Sequence, residues 1–190
     1  GNYIYYKVEN EQYEIREATL TEVNDWYEDL RPTEPQIPIR DLSVTEIVPL
    51  DDIEFEMSAS FGAKCANVAT MRSFGFPEGT IPDGFGIPFY YYDEFMQFNN
   101  FYQQAQVLMD NPVFQNDLNF RIERLKDFRR DIKDAPMPQW MLDDLQAMQD
   151  AFPEGTAVRC RSSTNNEDLP GFSGAGLYTS KTQYLDEGHI

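Results

Sequence analysis

The spacing of apolar residues changes several times along the chain, and each change marks a new element. Tyr3-Ile4-Tyr5-Tyr6-Lys7-Val8 and Gln12-Tyr13-Glu14-Ile15-Arg16 are rich in aromatic and β-branched residues and flank Glu9-Asn10-Glu11, which predicts a β-hairpin. Thr21-Glu22-Val23-Asn24-Asp25-Trp26-Tyr27 predicts a short capped helix, and the proline-rich run from Arg31 to Pro38 a connector. From 63 to 74, Ala66, Val68, Ala69, Met71 and Phe74 fall mostly at helical spacing, with Gly75 suited to end the helix in the left-handed conformation. The segment from Phe76 to Pro88 predicts a turn and then a short apolar strand. Residues 90–109 predict one helix with an aromatic face (Tyr91, Phe95, Phe98, Tyr102), broken by Asn111-Pro112. Residues 114–132 predict a second (Phe114, Leu118, Ile122, Leu125, Phe128), stopped by Ala135-Pro136-Met137-Pro138, and 139–152 a third. Stripes at this spacing are the pattern of a packed core rather than of a cofactor box. Gly155-Thr156-Ala157-Val158-Arg159-Cys160-Arg161-Ser162 predicts a strand. A polar, glycine-rich stretch follows to Gly176, and Leu177-Tyr178-Thr179-Ser180 resumes an extended pattern.

Composition narrows the class. The chain has 190 residues, 41% hydrophobic, enough for a packed core. Lys and Arg number 15 against 33 Asp and Glu, a net charge of −18. That balance argues against nonspecific nucleic-acid binding, which needs cations to displace phosphate counterions, and opposes adhesion to an anionic membrane surface. No apolar run is long enough to span a bilayer. Cys65 and Cys160 are the only cysteines, too few for a disulfide framework or a metal-site spacing, so a reducing cytoplasm is the expected compartment. Residues 1–60 hold 15 acidic residues against Lys7, Arg16, Arg31 and Arg40, a net of 4 − 15 = −11, which reads as a solvated acidic surface. The start at Gly1 and the stop at Ile190 without a terminal helix lead us to expect a piece of a longer protein.

Two stretches carry chemistry. In Phe61-Gly62-Ala63-Lys64-Cys65-Ala66-Asn67-Val68 a glycine allows close backbone approach and a helix starts within two residues. Helix starts present unpaired N–H groups and the positive end of a dipole. Lys64 adds a full charge where the dipole disfavours one, so structure alone would not choose it. The spaced glycines and Lys-Ser/Thr pair of the standard phosphate loop are absent. The second stretch runs from Val158 to Gly176. A strand delivers Arg159 and Arg161 on one face, followed by the hydroxyls of Ser162, Ser163 and Thr164 and then Gly171, Gly174 and Gly176. Guanidinium forks suit phosphate oxygens, and glycines let backbone N–H groups line an anion or a lid fold over it. The plain alternative is a surface loop with an Arg–carboxylate pair to Glu167 or Asp168. His189, the sole histidine, lies in a polar terminal segment, so no Ser/His/Asp set is available, and Ser173 lacks the spacing of a nucleophile elbow.

Together the two stretches resemble the nucleotide-binding domain of the phosphoenolpyruvate synthase and pyruvate phosphate dikinase family. The first matches that family's Gly-Gly/Ser-Lys-x-Ala-Asn-Leu run, with Ala63 and Val68 as mild departures, and Gly75-Phe76-Pro77 through Phe85 is similar to the segment that follows it. Arg161-Ser162-Ser163-Thr164-Asn165-Asn166-Glu167-Asp168-Leu169-Pro170-Gly171 closely matches the later Arg-Ser-Ser motif, and Phe172-Ser173-Gly174-Ala175-Gly176 is similar to a glycine-rich lid. The resemblance covers roughly 58–181 and leaves 1–57 unassigned.

The resemblance implies an α+β fold, the N-terminal part of an ATP-grasp-like domain with a mixed sheet and flanking helices. Residues 1–57 are expected to form an acidic arm or cap, and 58–190 a partial nucleotide-binding domain. Lys64 and Arg161 would contact ATP phosphates, aided by Ser162 and Ser163, with Gly171, Ser173 and Gly174 in the closing lid. The order Arg159-Cys160-Arg161 leaves open which arginine faces phosphate; Arg161 aligns with the motif. The family uses Mg²⁺, whose ligands are expected outside this chain, and passes a phosphoryl group to a histidine on a separate domain. The expected partners are therefore ATP, the second half of the domain and a phosphohistidine domain of the parent chain, with these 190 residues inactive alone. The rival reading is a noncatalytic nucleotide-sensing or protein-interaction module of the same fold.

Overall fold

A computed structural model describes residues 2–30, 37–166, 168–169, 172–174 and 178–184. The chain opens with the expected hairpin: β1 (Ile4–Glu9) pairs antiparallel with β2 (Gln12–Glu17). The turn residues Asn10 and Glu11 take φ of 48° and 64°, the positive pair that a two-residue connection between right-twisted strands requires. Register puts Ile4, Tyr6, Val8, Tyr13 and Ile15 on one exposed face, and Tyr5, Lys7 and Arg16 on the other. Arg16 stacks over Tyr5 at 4.1 Å and binds Glu22, tying the hairpin to α1 (Leu20–Leu30). Thr19 and Glu22 form a reciprocal cap at that helix start: the Thr19 N–H donates to Glu22 and the Glu22 N–H to Thr19 Oγ1. The Arg16 guanidinium, with help from Thr19, holds the Glu22 carboxyl down to about 2.

The middle of the chain is helical, with more breaks than the apolar pattern predicts. α2 (Ser58–Phe61) and α3 (Ala63–Arg72) meet at Gly62. The single helix expected over 90–109 is two, α4 (Phe89–Phe98) and α5 (Phe101–Met109), because Asn100 takes φ 56° between them. The helix expected over 114–132 is also two, α6 (Pro112–Asn116) and α7 (Leu118–Asp134). Here side-chain capping wins over periodicity. Asn111 Oδ1 accepts from the N–H groups of Val113 and Phe114, with Pro112 at the first helical position, and Asp117 Oδ1 accepts from those of Asn119 and Phe120. Pro112 therefore starts a helix as well as ending one. The apolar stripe of α7 stays largely open, with Leu118, Ile122 and Leu125 exposed and Phe128 edge-on to Phe101 at 5.7 Å. α8 (Gln139–Asp150) joins α4 through Trp140, 5.2 Å from the Tyr91 ring, and through a Tyr91 hydroxyl bond to Asp144.

Residues 37–57 pack onto this helical region. β3 (Val48–Pro49) pairs antiparallel with β4 (Phe85–Gly86), and Ile53 joins Phe61 and Ala69 in a buried cluster flanked by Val44, Leu50, Met57 and Cys65. Arg72, at the end of α3, binds Asp51, Asp83 and the carbonyls of Ile81 and Pro82, pinning the proline-rich stretch. β5 (Ala157–Cys160) pairs antiparallel with β8 (Lys181–Tyr184), and β6 (Asp168–Leu169) with β7 (Phe172–Ser173).

The mixture of helices and strands agrees with the expected α+β class. The expected mixed sheet does not appear: among the described residues the strands form four separate antiparallel pairs. Two of these have only two residues per strand. Pro49, Pro82 and Pro88 lack the N–H donors that would extend the β3–β4 ladder.

Candidate functional site

The two sequence motifs meet at the start of α3. Gly62 takes φ 82° and ψ 156°, a backbone region open essentially to glycine alone, and has no side chain with which to cap the helix. The cap comes from elsewhere in the chain. Ser163 Oγ accepts from the N–H of Cys65, the third helical residue, at 2.9 Å, and the Ala63 N–H points to the Thr164 carbonyl at 3.4 Å. A Cβ on Gly62 would lie 2.5 Å from Ser163 Oγ, 2.6 Å from the Ser163 carbonyl carbon and 2.7 Å from the Thr164 nitrogen. The glycine is therefore what lets the second motif seat directly on the first.

This seam limits the separation of the two predicted cations. Lys64 precedes Cys65 and Arg161 lies two residues before Ser163, so standard chain geometry keeps their Cα atoms within about 15 Å. Lys64 is partly buried, while Arg161 is exposed and has no partner among the described residues. Both arginines of the Arg-Cys-Arg run are exposed and Val158, Cys160 and Ser162 partly buried, but the strand expected to carry both arginines ends at Cys160, so Arg159 lies in β5 and Arg161 in the loop after it. Arg159 is engaged: its Nη1 donates to Thr182 Oγ1 across the β5–β8 pair at 2.8 Å. Ser173 lies in β7 opposite Asp168, and Gly174 follows it, buried. Gly171, Glu167, Gly176 and His189 lie outside the described residues.

Two features depart from the sequence reading. Helix-start N–H groups were expected to be open to an anion, yet those of Ala63 and Cys65 face Thr164 and Ser163. An anion at this seam would be met mainly by side chains. The sequence reading also missed Asp41, Ser60 and Asn165. Asn165 Nδ2 donates to the Ile39 carbonyl at 2.8 Å, and Ser60 Oγ donates to Asp41 Oδ2 at 2.8 Å. The only signal for Asn165 was its place in the polar run after Ser163; Asp41 gave none.

Ser163 caps a helix whose own N-cap residue cannot. Ser163→Ala is expected to destabilise the fold by ~0.5–2 kcal/mol, the usual worth of an N-cap hydroxyl, with Ser163→Thr close to wild type in urea unfolding. Cys65 abuts the buried cluster, and burial pushes its thiol up from 9.0 to about 11. Above pH 9 the unfolded thiol ionises while the folded one stays protonated, so stability should fall as pH rises from about 9 towards 11. Cys65→Ala should flatten that part of the pH–stability curve.

Among the described residues no group of three or more His, Cys, Asp or Glu is placed to hold a metal ion, so the Mg²⁺ implied by the resemblance finds no protein cage there. Nor, among them, is any helix long and apolar enough to cross a membrane.

A family model described as pyruvate phosphate dikinase, AMP/ATP-binding domain, matches residues 58–186. The chain belongs to that family. The match begins at the first residue of α2 and takes in both sides of the seam. Membership in the pyruvate phosphate dikinase AMP/ATP-binding family supports a nucleotide-binding role and suggests a kinase-type parent. No curated protein matches the chain, and no solved structure does.

Proposed function

We propose that residues 58–186 hold the phosphates of ATP as the first half of an ATP-grasp-like domain, in a parent phosphotransferase that passes a phosphoryl group to a histidine on another domain. The observation that carries this reading is the Cys65 N–H···Oγ Ser163 bond, which seats the Arg-Ser-Ser loop on the helix that bears Lys64. In this reading Lys64 and Arg161 neutralise phosphate charge from the two sides of the seam, and the Ser162 hydroxyl adds a donor. Arg161 is preferred to Arg159, whose guanidinium is engaged by Thr182. The segment around Ser173 and Gly174, with Gly171, would close over the triphosphate and exclude water, which strengthens each charge–charge contact. Bound Mg²⁺ would offset phosphate charge. Residues 1–57 would serve as an acidic arm or cap.

The test is to incubate the parent protein with radiolabelled ATP and look for label on histidine, stable to base and labile to acid. Label on histidine, lost when Arg161 is replaced, supports the reading. ATP binding with no phosphohistidine would favour the noncatalytic nucleotide-sensing module, and absence of ATP binding would overturn both.

A further inference from the structure

Residues 39–41 make contacts that the proposed phosphate grip does not use. Three consecutive residues reach three different parts of the fold. The Ile39 carbonyl accepts from Asn165 Nδ2 at 2.8 Å, in the loop that follows β5. Arg40 pairs with the buried Asp93 of α4 at 2.9 Å and donates to the Tyr102 hydroxyl of α5 at 2.9 Å, which itself donates to Asp93 at 2.7 Å. The Asp41 N–H donates to the Ala59 carbonyl at 2.9 Å, and its carboxylate accepts from Ser60 Oγ at 2.8 Å and from the Ser43 N–H at 2.9 Å. Asn165 lies two residues after Ser163, and Ser60 two before Gly62. The segment thus holds both sides of the seam and ties them to the helices behind it.

We propose that Ile39–Asp41 is a positioning strap for the nucleotide site, with Asn165 and Asp41 as positioning residues that keep the Arg161 loop in register with the start of the Lys64 helix. The proposal rests on the nucleotide-binding reading for its functional consequence, but its structural half stands apart from it. Neither side chain needs to touch phosphate. Asn165 acts by fixing the turn that carries Ser163 and Thr164, and Asp41 by fixing the last turn before Gly62. A slack strap would leave the Cys65 N–H···Ser163 bond open more often and the two cations less well aligned.

Two measurements separate the halves. In the 190-residue chain, hydrogen exchange of the Ala63 and Cys65 amides is followed by NMR in wild type, Asn165→Asp, Asp41→Ala and Asp41→Asn. Asn165→Asp keeps the shape and removes the donor, and Asp41→Asn keeps an acceptor. Exchange at Cys65 should quicken about two- to twelvefold in Asn165→Asp and Asp41→Ala, the worth of one hydrogen bond, with α7 amides unchanged and Asp41→Asn near wild type. Unchanged exchange at Cys65, or equal acceleration throughout the chain, overturns the strap whether or not nucleotide binds. In the parent protein, MgATP affinity should fall by a similar factor in the first two variants. Wild-type affinity despite faster exchange overturns the positioning role. No ATP binding by the wild-type parent overturns the nucleotide reading and leaves the exchange result to judge the strap alone.

Discussion

Gly62→Ala should be strongly destabilising. The φ/ψ pair at Gly62 costs a residue with a Cβ ~1–3 kcal/mol before any contact is counted. The contacts are worse, because two of the three nearest atoms, the Ser163 carbonyl carbon and the Thr164 nitrogen, are backbone and have no rotamer to escape into. The loop must lift, opening the Cys65 N–H···Ser163 bond and removing the helix cap, a further ~0.5–2 kcal/mol. Gly75→Ala is the control, since Gly75 has φ 72° but nothing within 4 Å of an added Cβ. Urea unfolding of both variants should therefore separate backbone strain from collision, with Gly62→Ala lower in stability by at least the value of the lost cap. Equal losses would mean that the two motifs do not touch as described.

Arg161→Ala should weaken ATP binding by the parent protein about ten- to a hundredfold, the equivalent of one charge-assisted contact of ~1.5–3 kcal/mol. Its folding stability should barely move, because the side chain is exposed and has no partner among the described residues. Arg159→Ala provides the contrast: it loses an exposed cross-strand bond to Thr182 and should bind ATP as the wild type does. Arg161→Lys should recover only part of the affinity, since an ammonium cannot present a planar fork to two phosphate oxygens. Calorimetric titration with ATP checks all three. If Arg159→Ala is the variant that fails, the alignment of the motif on Arg161 is wrong.

The sequence was most informative where local chemistry acts over a few residues. The hairpin could be read because aromatic and β-branched runs flank a short polar turn. The α3 helix could be read from Ala66, Ala69 and their neighbours. The helical breaks at Asn100 and Asp117 were hidden because an apolar stripe continues through both without a change of period: at Asp117 only its side-chain bonds mark the boundary, and at Asn100 only its left-handed backbone does. The mixed sheet was inferred from resemblance, and Pro77, Pro82 and Pro88 interrupt the run of backbone donors that a long ladder through 76–88 would need. At the candidate site the residue types were legible in both motifs, down to the glycine that permits close approach. That the two motifs meet followed from the resemblance; the bond that docks them was not legible, because the hydroxyl of Ser163 and the amide of Cys65 are separated by 98 positions and share no local pattern. Asp41 was invisible for the same reason, its role depending on Ser60 and Ala59, which sit in a different element.

That long-range cap has a consequence for how the chain acquires its shape during synthesis. The helix bearing Lys64 leaves the ribosome with its first turn unsealed, and at ~5–20 residues per second the serine that seals it emerges roughly 5–20 s later. Until then the growing polypeptide displays a glycine-hinged, incompletely closed helical start to whatever chaperone or protease surrounds it. The nascent domain should thus have a period of vulnerability that ends when the loop after β5 arrives, and a ribosome stalled before that point would hold a helix still waiting for its lock.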